Sequence, residues 1–168
     1  MQQPTHHSDR AGPGLAGPEP IEAAYRRLRP RLVRLAHLLT GDPDTAQDVV
    51  QDAFVAAARR WSTVESADAY LRMAVVNGSL SVHRRVGRER DKTARLQTLA
   101  ATVTVGIPEL DETWDVLRRL PDKQRAALVL RFYEDLPEAE IARLLDCRPG
   151  TVKSLVHRGL LRTRKALP

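Results

Sequence analysis

Residues 136–165 contain two short apolar stripes with a break between them, and this spacing predicts a helix-turn-helix. Ile141, Ala142 and Leu145 form the first stripe, which follows the spacing of one helix face. Residues 146–148 separate the stripes, and a break of this length suits the sharp turn between two such helices. The second stripe has helical spacing throughout and consists of Val152, Leu155, Val156, Gly159 and Leu160.

The break itself has residues that suit a turn and a new helix start. Asp146 accepts left-handed backbone conformations more readily than most residues do, although glycine is common at such a position. Pro149 suits the first turn of a helix, where a backbone N–H would lack a partner anyway. Cys147 is the only cysteine, so no internal disulfide can form, and we expect a small packed residue there and not a thiol catalyst.

The polar face of the second helix is strongly cationic. No Asp or Glu follows Cys147, and short polar side chains lie near the start of the helix. Such a surface suits phosphate contacts combined with readout of base edges in a major groove. A helical hairpin with a merely solvated basic face is the alternative at this point. The predicted DNA-contacting residues are Arg148, Thr151, Lys153, Ser154, His157, Arg158 and Arg162.

Composition agrees with a helical protein that binds a polyanion. The 168 residues are 42% hydrophobic but only 4% aromatic, so the cores must consist mostly of Leu, Val and Ala. The net charge of +6 points to nucleic acid or another polyanion. No stretch approaches the roughly 18 apolar residues of a membrane span, and the N-terminus has no apolar signal region. We therefore expect a cytoplasmic protein without membrane association.

The N-terminal part begins with a low-complexity segment. Residues 1–20 are rich in Pro and Gly and are predicted to be a disordered tail. Residues 21–39 have a helical apolar pattern in which Pro30 predicts a kink or a later start. Asp42 or Asp44 can cap the helix that follows. The spacing after these aspartates does not match a calcium loop, so we expect no metal and no cofactor.

Residues 44–61 are predicted to form a helix with a local acidic face. No Lys or Arg occurs between residues 41 and 58, although the chain as a whole is basic. Such a face is poorly suited to DNA phosphates, so it faces either solvent or a basic protein partner, and these residues alone do not decide between the two. Its members are Asp44, Asp48, Gln51 and Asp52.

Residues 69–85 are predicted to form a third helix with a basic end. Asn77 and Ser81 lie four residues apart on one face, and Arg84 and Arg85 follow. A helix of this kind can follow a nucleic-acid backbone while it offers hydrogen bonds to bases. An ordinary solvated helix end is the alternative.

Weak periodicity over residues 87–112 predicts a linker or a loosely helical connection, which can extend to roughly 80 Å. A strong helical pattern resumes over residues 113–131, with a new helix start at Pro121. The prediction is an all-α protein of two small helical domains joined by a flexible linker. Its domains are a tail at 1–20, a first domain at 21–90, a linker at 91–112 and a second domain at 113–168.

Three segments in this order resemble the sigma-70 family of RNA polymerase sigma factors, in its short extracytoplasmic-function group. LTGDPDTAQDVVQDAFVAAARRW is similar to the core-binding part of sigma region 2, and AYLRMAVVNGSLSVHRR to its promoter-melting part. LRRLPDKQRAALVLRFYEDLPEAEIARLLDCRPGTVKS is similar to region 4 with its helix-turn-helix. The VVNGS stretch resembles the actinobacterial branch of the group.

The resemblance implies three binding surfaces and no catalysis. It implies contacts with the β′ coiled coil and the β flap of core RNA polymerase, contacts with promoter DNA, and an anti-sigma factor as a further candidate partner. Leu155 stands where the family usually has Arg, so one DNA contact is lost or the apolar face is enlarged. The implied sites are Asp48, Gln51, Asp52 and Phe54 for the polymerase core, Asn77, Ser81, Arg84 and Arg85 for the minus-ten element, and the basic face of the second helix for the minus-thirty-five element.

Two other functions compete with this interpretation. A stand-alone helix-turn-helix regulator would bind duplex DNA without polymerase, as a homodimer on palindromes, and would leave the acidic face and the Asn77 helix unexplained. An enzyme acting on nucleic acid would need clustered catalytic groups. His37, His83 and His157 have no partners at a suitable spacing.

Overall fold

The computed structural model describes residues 19–92 and 111–166, and within those ranges every regular element is helical. This confirms the all-α prediction. The first three helices form an N-terminal unit and the last four a C-terminal unit. Most of the predicted tail and linker, at residues 1–18 and 93–110, lies outside the described residues. The helices are α1 (Ile21–Thr40), α2 (Pro43–Ala58), α3 (Ala67–Lys92), α4 (Asp111–Leu117), α5 (Asp122–Leu128), α6 (Glu138–Leu144) and α7 (Pro149–Ala166).

Gly41 and Asp42 form the corner between α1 and α2. Gly41 ends α1 with φ at 81°, a left-handed conformation that favours glycine, and its N–H donates to the His37 carbonyl at 2.8 Å. Asp42 caps α2, since its carboxylate accepts the Thr45 N–H at 2.7 Å. The hydrogen bonds that Thr45 donates to the Asp42 carboxylate hold the pKa of Asp42 below its usual value. Of the two candidate caps, the structure therefore selects Asp42.

The α1 helix confirms the prediction over residues 21–39, without the later start that Pro30 allowed. The α2 helix ends at Ala58 and not at the predicted residue 61, and α3 is longer than predicted. The α1 helix begins at Ile21 and runs through Pro30, because Leu28 and Leu32 on either side of the proline are buried and their packing outweighs its cost. The α3 helix covers Ala67–Lys92, well beyond the predicted end at residue 85. Its last turns contain Arg, Glu and Lys, which favour helix, and no proline. Both ends of the predicted 91–112 linker are therefore helical.

The N-terminal unit is a three-helix bundle with a leucine and valine core. Leu35 and Leu39 of α1 are fully buried, as are Val50 of α2 and Val75 of α3. The three helices enclose one continuous apolar core, as a composition poor in aromatic residues predicts. At the surface an ion pair between Arg27 and Asp68 joins the starts of α1 and α3 at 2.8 Å.

The C-terminal unit carries the predicted helix-turn-helix. The α5 helix continues into a π-helical turn at Val129–Tyr133, and α6 and α7 follow. Ile141 and Val152, one from each helix of the motif, are fully buried. Asp146 adopts φ of 48° in the turn between them, which confirms the expected left-handed conformation. Pro149 opens α7, also as predicted.

Close packing of α7 on α5 depends on Gly159. A Cβ built at Gly159 would lie 3.0 Å from Leu128 Cδ1, so a side chain there would have to displace the Leu128 side chain. We expect Gly159→Val to lower the free energy of unfolding by about 1–3 kcal/mol through overpacking. Urea denaturation measures this change, with Gly150→Ala as the control because nothing lies within 4 Å of that position. Unchanged or increased stability of Gly159→Val would contradict the close approach.

The two units also pack on each other, which the sequence did not predict. The rings of His37 in α1 and Trp114 in α4 lie 4.6 Å apart, and Arg125 donates to the Leu39 carbonyl at 3.3 Å. Burial in this contact lowers the pKa of His37. One apolar core therefore runs through both units. No helix in the described ranges is long and apolar enough to cross a membrane.

Candidate nucleic-acid and protein interfaces

The α7 helix separates an apolar face from a basic one. Val152 and Leu155 are buried, and Gly159 extends this face along α5. Leu155 thus enlarges the apolar face, in agreement with one of the two roles expected for it. Leu160 is 45% exposed, so its assignment to the buried stripe is wrong. All seven predicted DNA-contacting side chains are exposed: Arg148, Thr151, Lys153, Ser154, His157, Arg158 and Arg162.

Local hydrogen bonds and one ion pair order part of this basic face. The Ser154 hydroxyl donates to the Gly150 carbonyl at 3.1 Å, and Arg158 Nε donates to the Ser154 carbonyl at 3.1 Å. Lys153 Nζ lies 3.8 Å from a Glu138 carboxylate oxygen. Sequence analysis missed Glu138, because the acid comes from α6 and not from α7. An exposed pair of this kind contributes at most about 1 kcal/mol, so a phosphate can displace the glutamate.

The residues predicted for the minus-ten element share one face of α3. Asn77, Ser81, Arg84 and Arg85 are all exposed and follow the spacing i, i+4, i+7 and i+8. The intervening Ser79 and Leu80 are buried and point toward the core. The structure therefore groups an amide, a hydroxyl and two guanidinium groups along one helix surface, which can contact both bases and phosphates.

The acidic face of α2 is also exposed, with one correction. Asp48, Gln51 and Asp52 face solvent, whereas Phe54 is only 6% exposed and packs edge-to-face on Tyr25 with ring centroids 4.9 Å apart. Phe54 therefore offers little surface to a partner, because its position on the helix belongs to the buried stripe. Asp44, at the start of the helix, is exposed as well.

Val55 completes the acidic face and was missed by sequence analysis. Its side chain is 51% exposed. It lies one helical turn after Asp52 and two turns after Asp48, so all three share a face. The helical spacing was the signal that could have identified it. Carboxylates on this face repel phosphates, and an exposed apolar side chain beside them adds area that a protein partner can bury.

Two family models match this chain, one over the N-terminal unit and the other over the C-terminal unit. The family model described as Sigma-70 region 2 matches residues 24–89, and the one described as Sigma-70, region 4 matches residues 110–162. The RNA polymerase sigma-E factor of Streptomyces coelicolor is 36% identical over 162 residues, which cover 88% of this chain and 85% of that protein. The chain belongs to the sigma-70 family.

Other relatives of this sigma factor fall in the extracytoplasmic-function group. The ECF RNA polymerase sigma factor SigM of Mycobacterium tuberculosis is 32% identical over 152 residues, which cover 88% of this chain and 76% of that protein. Among solved structures, the sigma factor RpoE in complex with the anti-sigma factor NepR from Bartonella quintana has a TM-score of 0.60 at 25% identity. That match covers 86% of this chain and 94% of the RpoE chain.

Membership in the family establishes what the protein does at a coarse level. A sigma factor binds core RNA polymerase, directs it to promoters and assists DNA melting in transcription initiation. The region 2 match contains α2 and the predicted minus-ten face of α3, and the region 4 match contains the helix-turn-helix of α6 and α7.

Proposed function

We propose that this sigma factor uses three separate surfaces, one for polymerase and two for promoter DNA. The observation that supports this division is the segregation of charge: acidic side chains lie on α2, and basic ones lie on the end of α3 and on α7. Region 2 is placed at residues 21–90, the linker at 91–112 and region 4 at 113–168. The protein acts in the cytoplasm and takes part in initiation without catalysing a reaction of its own.

The core-docking surface consists of Asp48, Gln51 and Asp52, and Val55 replaces Phe54 as its apolar member. The proposed contact is the β′ coiled coil of core RNA polymerase, and electrostatic complementarity requires that this partner be basic. Region 4 would in addition contact the β flap. An anti-sigma factor is a candidate partner, since one is bound to the relative from Bartonella quintana.

The two DNA surfaces have different tasks. Asn77, Ser81, Arg84 and Arg85 on α3 are assigned to the unpaired non-template strand of the minus-ten element. Extruding a base from the stack costs a few kcal/mol, which hydrogen bonds and stacking to the protein must offset. The basic face of α7 is assigned to the duplex of the minus-thirty-five element, where phosphate contacts give affinity and base-edge contacts give specificity. A stand-alone regulator would leave the α2 and α3 surfaces without a role.

Replacing Asn77 with alanine tests the minus-ten assignment. We expect Asn77→Ala to leave duplex binding by the holoenzyme unchanged and to lower the extent of strand opening up to about tenfold, because a hydrogen bond to an extruded base is worth about 0.5–1.5 kcal/mol. Permanganate reactivity of thymines in the start region measures strand opening. The control is Ser62→Ala, which removes an exposed hydroxyl from the short 3-10 turn between α2 and α3. Normal reactivity in Asn77→Ala would remove this residue from the proposed surface.

A further inference from the structure

Glu138 lies beside the basic face of α7 but belongs to another helix. It is the first residue of α6, where the helix dipole favours a negative charge. A carboxylate oxygen of Glu138 lies 3.8 Å from Lys153 Nζ, and the two side chains are 40% and 71% exposed. The pair therefore joins the two helices of the helix-turn-helix at a place that solvent, or a ligand, can reach.

The α7 helix offers Lys153 no counter-charge of its own. No Asp or Glu occurs anywhere after Asp146 in the sequence. The neighbours of Lys153 on the helix surface, three and four positions away, are Gly150 and Pro149 before it and Val156 and His157 after it. Glu138 thus supplies from α6 the anion that a basic helix would otherwise obtain from DNA.

A duplex phosphate and the Glu138 carboxylate compete for the same ammonium group. Lys153 belongs to the face proposed to contact the minus-thirty-five duplex, and phosphates are the natural partners of its point charge. Two anions held within a few ångströms of one lysine repel each other even in water. The carboxylate must therefore move away from Lys153 when a phosphate binds there. Because an exposed pair is weak, this competition lowers affinity without preventing binding.

The competition matters most where phosphate contacts are the whole of the interaction. Binding to random duplex depends essentially on phosphate neutralisation, so each cation that is held by an internal acid lowers the affinity. A promoter adds contacts to base edges, which offset a small loss at one lysine. The free chain on random DNA has no such compensation.

We infer that Glu138 competes with DNA phosphate for Lys153 and thereby limits the affinity of the free sigma factor for duplex DNA of any sequence. The inference rests on the proposed assignment of α7 to duplex DNA. Glu138 acts through Lys153 and is therefore a positioning residue. Its carboxylate keeps one cation of the basic face engaged until a phosphate displaces it.

Binding of the full-length chain to a short fluorescein-labelled duplex of random sequence tests the competition. We expect Glu138→Gln to raise the affinity about threefold to fivefold at about 50 mM salt, as the loss of an exposed ion pair allows. The gain should shrink toward about 200 mM salt, because salt screens the interaction that the substitution removes. Fluorescence anisotropy measures the affinity, and circular dichroism reports whether the helices remain folded.

Glu140→Gln is the matched control. It removes the same charge from the same helix, but residues two positions apart on a helix do not face the same side. We expect a gain of less than about twofold, which reports the effect of net charge alone. In a Lys153→Ala background, Glu138→Gln should give no larger gain than this control. Equal gains from the two substitutions in the original chain, or an undiminished gain without Lys153, would overturn the inference.

Lys153→Ala alone separates this inference from the proposed function. If the single variant binds the duplex as tightly as the original chain, Lys153 does not contact DNA, and the assignment of this residue and the inference both fail. If it binds more weakly while Glu138→Gln behaves like Glu140→Gln, the DNA surface of α7 stands and the inference alone fails.

Discussion

Asp48→Lys combined with Asp52→Lys is expected to reduce binding to core RNA polymerase by about a hundredfold or more while the helical fold stays intact. Both carboxylates are exposed on one face of α2, so the substitutions leave the buried stripe unchanged. Placing like charges opposite each other in an interface costs several kcal/mol, which corresponds to such a loss. A fluorescence binding titration with purified core enzyme measures the affinity, and circular dichroism reports the fold.

The matched control reverses two acids elsewhere on the surface. Glu65→Lys with Asp115→Lys changes the net charge by the same amount, at exposed positions outside α2. Affinity for core enzyme should stay within about threefold of the original in that variant, because rim or remote charges mainly alter association rates. Equal losses in the two double variants would mean that net charge, and not the acidic face of α2, governs docking.

Lys153→Ala combined with Arg158→Ala is expected to weaken holoenzyme binding to a promoter with a minus-thirty-five element by about tenfold to a hundredfold. Both side chains are exposed on the basic face of α7. Each lost phosphate contact should also reduce the slope of log affinity against log salt concentration by about 0.9. Filter binding across a range of salt concentrations measures both quantities.

Arg118→Ala with Arg119→Ala is the corresponding control, since it removes two exposed cations from the same unit that lie outside the helix-turn-helix. Its salt slope should match that of the original protein. If the Lys153 and Arg158 variant keeps the original slope, those residues make no phosphate contacts, and the minus-thirty-five assignment of α7 loses its electrostatic support.

Local patterns were sufficient to predict the elements that carry the binding surfaces. Val152 and Leu155 are spaced to face one side of α7, and both are buried. Asp42, one of the two predicted candidates, directly precedes the proline that opens α2, and it caps that helix. Asp146 tolerates a left-handed turn, and it adopts one. Each of these features depends on residues within about one or two helical turns, so the printed sequence contains the whole cause.

Packing between distant segments could not be read in the same way. Arg125 and the Leu39 carbonyl are separated by 86 positions, and no periodicity links them. Glu134 looks like an ordinary surface acid in sequence, yet it is buried between arginines of two other helices.

The most direct test of the central claim is reconstitution of the purified chain with bacterial core RNA polymerase, followed by run-off transcription on fragmented genomic DNA. The account predicts that the chain binds core enzyme and produces new transcript start sites, each preceded by a shared pair of sequence elements. These starts should disappear with the Asp48 and Asp52 double variant. A chain that binds DNA but neither binds core enzyme nor produces new starts would contradict its role as the promoter-specificity subunit.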